Sequence, residues 1–272
     1  MKLTNCYCTL AELKARLTVS DTIDDAALKS VMESVSRLID TYCGRRFYVE
    51  TRTRYFTPTS ADMLDVDSLL SVTTLGTDDD GDRTYENTWA ATDYDLMPLN
   101  APYESPPRPY TYITVTPNGT YSFPNLVKSV SILGSWGFYS VMAALDTLGA
   151  AITSTTATTF TATAGSLYSP GHTLLIGSEQ MHVQSVNGNT ITVTRGANGT
   201  TAATALISAA VSVYTYPMVT EAALLQCARI FARRNAPFGI TGNAEMGTLM
   251  ALPKLDQDVG MMLNPVKSYA GF

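Results

Sequence analysis

Apolar residues in the first forty positions recur at helical steps. Thr9 and Glu12 stand at capping-box spacing, and Leu10, Leu13 and Leu17 fall on one face of a short amphipathic helix. Leu28, Val31, Met32, Val35, Leu38, Ile39 and Tyr42 then repeat every three or four residues. Asp24 and Asp25 suit the positive end of the dipole and Gly44 supplies a stop, so the spacing predicts a helix over 23–43. After Arg46 the period drops to two. Residues 47–56 are rich in aromatic and β-branched side chains and read as strand, as do 63–66, 72–75, 84–89, 113–116 and 127–133. The proline-rich stretch 101–109 reads as loop, because proline has no N–H for a ladder.

The pattern shifts again at Val141. From there to Tyr216 the charged side chains are Asp146, Glu179 and Arg195, and Ala and Thr dominate. Residues 158–164, 173–176, 180–186, 190–194 and 211–216 read as strands, with Asn187-Gly188 as a type I′ hairpin signal. Helical periodicity returns after Pro217. Val219, Ala223, Leu224, Cys227, Ile230 and Phe231 mark an apolar face, Arg229, Arg233 and Arg234 a basic one, and Pro237 an end. Residues 239–272 show little sustained period and read as an extended tail. The fold class expected is α+β. A discontinuous core over 1–138 and 217–238 would carry helices, strands and a hairpin, with a small all-β domain inserted at 139–216.

Composition adds a constraint. Charged residues make up 15% of the 272 and apolar residues 45%, against about a quarter charged in an ordinary soluble domain. So little charge implies surface covered by partners. The net charge of −6 fits a duplex-binding protein poorly, since such proteins displace counterions from phosphates with Lys and Arg. It is compatible with a passage through which nucleic acid slides. No stretch has the length needed to span a bilayer, and the first residues show no secretory pattern. Cys6, Cys8, Cys43 and Cys227 are too scattered for a disulfide scaffold and fit a reducing compartment.

Candidate chemistry is sparse. Asp78-Asp79-Asp80-Gly81-Asp82 invites a calcium reading, but the sixth and twelfth positions of an EF-hand loop would be Arg83 and Trp89. The segment reads instead as an acidic turn. His172 and His182 are the two histidines. Glu179 and His182 lie three apart on an expected strand and so point to opposite faces, which disfavours a shared zinc site. Cys6-Tyr7-Cys8 lacks the usual knuckle spacing, and Cys43 and Cys227 read as small apolar residues on buried helix faces. No phosphate loop, nucleophile elbow or Ser/His/Asp set can be assembled. The fifteen tyrosines suit contact surfaces more than catalysis.

Several segments, in order, resemble the adaptor (head-to-tail connector) proteins of long-tailed bacteriophages. These are the long second helix running into Ile39-Asp40-Thr41-Tyr42-Cys43-Gly44-Arg45-Arg46-Phe47, then Asp79-Asp80-Gly81-Asp82 with Tyr85-Glu86 and Trp89, and then residues 93–101. Gly134-Ser135-Trp136-Gly137-Phe138 and Pro217-Met218-Val219 follow, leading to residues 232–239. The tail matches through Gly242, Glu245, Leu252, Leu255, Asp256 and Val259. Inside the insert, residues 176–181 and 195–200 are similar to a small β module common in phage structural proteins.

The resemblance implies a structural protein with no catalytic residues, cofactor or metal. It implies a ring, usually of twelve copies, seated under the portal protein in the virion after assembly in the host cytoplasm. The ring would extend the DNA channel and meet a stopper or tail-completion protein. Gly242, Glu245, Leu252, Leu255, Asp256 and Val259 would belong to a portal-binding tail, and Arg45, Arg46, Arg229, Arg233 and Arg234 are candidates for subunit contacts. The inserted domain offers a further contact, to the major capsid protein. The alternative is a β-rich surface or carbohydrate-binding module, favoured by the Thr/Ala-rich strands and disfavoured by the helical flanks and free cysteines. A hydrolase using paired carboxylates has no positive support in the residues.

Overall fold

The computed structural model describes residues 2–105, 107–138, 141–235, 240–241, 250–251 and 255–268. The chain is α+β, with four α-helices and two antiparallel six-stranded sheets among the described residues. It divides into two compact units, Arg45–Ser140 and the combination of Met1–Gly44 with Val141–Phe272.

In the first unit, β1 (Glu50–Phe56), β2 (Met63–Thr77), β4 (Tyr94–Met97), β5 (Tyr110–Val115) and β6 (Val130–Trp136) run in the order β1-β6-β2-β5-β4, and the short β3 (Asn87–Thr88) pairs with β2. The two strands expected at 63–66 and 72–75 are one. Ser68, at φ 53°, sits at a register shift where β2 exchanges its partner β5 for β6 without ending. Along β6 every second residue is buried, namely Val130, Ile132, Gly134 and Trp136. These join Leu64, Leu69, Leu75, Ile113, Phe123 and Trp89 in one core, with Trp89 stacked on Phe123 at 4.7 Å. The strand expected at 84–89 shrinks to Asn87–Thr88, because carboxylates of the preceding acidic turn take the amides of Asp82, Arg83 and Thr84.

In the second unit, α1 (Leu10–Leu17) is closed by the expected capping box between Thr9 and Glu12. α2 (Asp25–Cys43) ends at Gly44, whose φ of 62° favours glycine. α2 buries Leu28, Met32, Val35, Ile39 and Cys43, and Leu38 stays exposed. The second sheet runs β7-β12-β9-β10-β11-β8, comprising β7 (Val141–Thr147), β8 (Thr159–Thr161), β9 (Thr173–Ile176), β10 (Glu179–Asn187), β11 (Thr190–Ala197) and β12 (Ala210–Thr215). A bridge from Leu148 to Ala162 joins the chain just beyond its two edge strands, so the sheet curls toward closure around Leu174, Val183, Ile191 and Val211. The hairpin expected at Asn187-Gly188 is present, shifted by one residue. Asn187 still pairs with Thr190, and Gly188, at φ 56°, begins the turn.

This arrangement revises the expected domain boundaries. The β-rich stretch from 141 groups with the helices and does not stand apart. Its polar residues are bound to the N-terminal segment. Gln184 brackets the Leu3 backbone with two bonds of 2.8 Å, Asn198 and Asn5 exchange side-chain amides at 2.7 and 2.8 Å, and the Leu10 amide donates to the Pro170 carbonyl at 3.0 Å. The segment that leaves the helical layer at Gly44 and returns at Val141 is Arg45–Ser140.

The tail is also revised where it is described. α3 (Pro217–Ala232) and α4 (Gln257–Leu263) pack together, and Val259, Leu263 and Val266 are buried. Asp256 caps α4 by accepting from the Asp258 amide, and the spacing 259, 263, 266 supplies an apolar stripe too short for its period to be read in sequence. Residues 255–268 are therefore folded against their own chain and not extended.

Candidate functional site

The chemistry-bearing side chains fall into three groups. The first lies in the helical unit, where a cleft of about 60 Å³ is lined by Cys6, Tyr7, Cys8, Glu12, His172 and Tyr216, among others. Burial, then Glu33, pushes the Cys6 thiol up. The hydrogen bond with Cys227, then burial, does the same for Cys8. Thiols held neutral in this way are poor nucleophiles and poor metal ligands. Burial lowers His172, and Glu12 is spent in the capping box. His182 points elsewhere, beside Thr173 at 3.1 Å, and burial pushes it down to about 4. Glu179 is bonded to Arg195 and His182 to Thr173, and both are buried, so neither forms a polar edge.

The second group is the acidic turn. Carboxylate oxygens of Asp78, Asp80, Asp82 and Glu86 lie within 4.8 Å of one another, a spacing that oxygen-preferring cations accept. The turn's own backbone already uses much of it. Asp78 takes the Gly81 amide on one oxygen (2.7 Å) and the Arg83 amide on the other (2.9 Å), and Asp82 takes Thr84 (2.6 Å). Burial raises the Asp78 carboxyl, but these amides outweigh it and hold the group below its ordinary range. The arrangement is that of a turn built from its own side chains.

The third group holds the expected contact residues. Arg46 pairs with Glu50 at 3.2 Å, and Arg45 lies over the Phe138 ring at 4.9 Å. Arg229 pairs with the buried Asp256, and Arg234 with Asp24 at 2.8 Å while covering Phe231. Arg233 is half-buried at the end of α3. These arginines engage their own chain, because helix ends and carboxylates of the same fold stand within reach. Of the expected tail residues, Asp256 and Val259 are buried and Leu255 is half-buried; Gly242, Glu245 and Leu252 lie outside the described residues.

No protein-family model and no curated protein matches the chain. Among solved structures, it aligns with a chain from the neck of an empty GTA particle computed with C6 symmetry. The alignment covers 100% of this chain and 98% of that one, at 13% identity and a TM-score of 0.41. A likeness of that size carries no argument about function.

Sequence reading missed the buried Glu179–Arg195 pair, at 2.7 Å. Glu179 also accepts from the amides of Gly196 and Ala203, and Arg195 donates to the carbonyls of Ser154, Ala157 and Ala203. Asp146, the third charge of the segment, accepts from the Ala164 amide. The signal was available, since three charges surviving in an otherwise neutral stretch each fasten a loop. No helix among the described residues is long and apolar enough to cross a membrane.

Proposed function

We propose that the chain is a structural adaptor of a phage-type neck, forming a ring that joins a portal to a stopper or tail protein and lengthens the DNA channel. The observation that carries this reading is the apolar surface on both units of a weakly charged chain. Tyr103, Val127 and Leu99 stand 86%, 70% and 61% exposed on the first, and Ile23, Leu206 and Met261 86%, 80% and 60% on the second. Exposed apolar side chains on both units, in a chain with so little charge, suit surfaces that partners in an assembly cover. The order of adaptor-like segments from residue 39 to residue 259 supplies the kind of assembly. The sheet over 141–215 is then an added contact surface within the particle, and the net charge of −6 lets DNA pass without being held.

The test is the mass of the full chain mixed with the portal protein of its own particle. A complex gaining about twelve copies supports the proposal, and a portal that gains none overturns it. Tight duplex binding by the chain at physiological salt also counts against it.

A further inference from the structure

We infer that Arg45–Ser140 carries both halves of a head-to-tail contact between copies of this chain, an arginine cluster at one end of strands β1 and β6 and the acidic turn at the other. The inference rests on the ring proposed above and names the surfaces that would close it.

The basic end is built on Glu50. Its carboxylate meets Arg46 at 3.2 Å, Arg52 at 3.6 Å and Arg54 at 3.0 Å. One carboxylate among three guanidiniums leaves an excess of positive charge, and Asp67, 3.7 Å from Arg54, offsets part of it. The Arg46 and Arg52 side chains are about half exposed, at 51% and 54%. Among the described residues β1 is an edge strand, paired on one side by β6.

The acidic end holds Asp78, Asp79, Asp80, Asp82 and Glu86 against Arg83 and Lys128. The register fixes its place. Glu50 pairs with Trp136 at one end of the β1–β6 ladder, while Phe56 and Thr77 both pair with Val130 at the other, and the acidic turn follows Thr77 directly. Six strand steps separate the two ends, roughly 20 Å at strand rise. The charges therefore cannot neutralise each other within one copy across water and salt. Opposite charge at the two ends of one ladder suits a heterologous contact, in which each copy offers a different patch to each neighbour and closure of the rotation gives a ring.

The experiment uses the full chain alone, with sedimentation and native mass measurements across a concentration series. Arg46→Glu with Arg52→Glu, and separately Asp79→Lys with Glu86→Lys, change exposed side chains that hold no backbone of the acidic turn. Thermal melts confirm that each variant folds. The wild-type chain should form closed species larger than dimers that weaken with added salt. Each double variant should weaken association at least tenfold, and the chain carrying all four changes should recover it. Wild-type protein that stays monomeric at the highest concentration, charge variants that assemble undiminished, a two-fold dimer as the end state, or no recovery in the fourfold variant would each overturn the inference. Because no portal is present, these outcomes are independent of the portal-binding result.

Discussion

Glu179 and Arg195 face each other at 2.7 Å with side chains 1% and 8% exposed, and together they hold the loops at 154–157 and 196–203. A buried pair broken on one side leaves a charge without compensation, which costs about 3–5 kcal/mol. Arg195→Met should lower the unfolding free energy read from urea melts by that order. Replacing both partners with apolar residues often rescues a simple buried pair. Here the amides of Gly196 and Ala203 and the carbonyls of Ser154, Ala157 and Ala203 would all lose partners. The double variant Glu179→Leu/Arg195→Met should therefore be no more stable than the worse single one. A double variant that regains wild-type stability would show that the loops do not depend on the pair.

His182 gives the fold a pH dependence that is separable from that of Glu179. Burial lowers His182 from 6.5 to about 4, with Glu33 pulling the other way. Its folded pKa is depressed, so between pH 6.5 and 4 the unfolded chain binds a proton that the folded chain refuses. Stability is full above this window and falls through it, by up to about 3 kcal/mol. Burial also lowers His172, which adds in the same direction. Glu179 is likewise held below its ordinary 4.5, burial being outweighed by Arg195 and the two amides, so its contribution is lost only at more acid pH. The unfolding free energy of His182→Gln should be flatter between pH 6.5 and 4 than that of wild type. An unchanged slope would remove His182 as its source.

Gly134 and Gly177 separate two reasons for glycine. A Cβ on Gly134 would lie 2.3 Å from the Ser71 carbonyl oxygen, across the β2–β6 ladder. Gly177 has open space around it but a φ of 61°. Gly177→Ala should cost about 1–2 kcal/mol, the strain of a left-handed residue. Gly134→Ala should cost more, because backbone must move and rungs of the ladder lengthen. Thermal melts of the two variants rank them, and a Gly134→Ala protein as stable as wild type would deny the close approach.

Much of the fold was legible because its signals are local. The capping box at Thr9, the stripe from Leu28 to Ile39 and the stop at Gly44 are each complete within a few residues. What escaped depends on partners distant in sequence. The grouping of the second sheet with the helices rests on Gln184 meeting Leu3 and Asn198 meeting Asn5, contacts almost two hundred positions apart that no periodicity announces. The arginines were legible as conspicuous charges, but their carboxylates at Asp24 and Asp256 become neighbours only once the helices pack.

The tail offers the decisive case, because its expected role and its observed packing differ. Read as an extended portal-binding arm, residues 240–272 should be removable without harm to the fold. The structure predicts otherwise for the part that forms α4. Val259 and Leu263 are fully buried and Val266 nearly so, Asp256 meets Gln226 and Arg229, the Tyr42 hydroxyl donates to Asn264, and the Ser268 amide donates to the Cys43 carbonyl. Each buried aliphatic side chain contributes about 2 kcal/mol, so ending the chain at residue 254 should lower stability substantially and uncover apolar surface on α3. Leu263→Ala alone should cost about 2–5 kcal/mol. Arg229→Ala would leave Asp256 buried without its cation and should also destabilise. If these variants melt with the wild type, α4 is a loosely held arm, and the extended-tail reading recovers. If they melt early while the chain still binds its portal, docking does not need α4 in place, and the portal contact lies elsewhere on the chain.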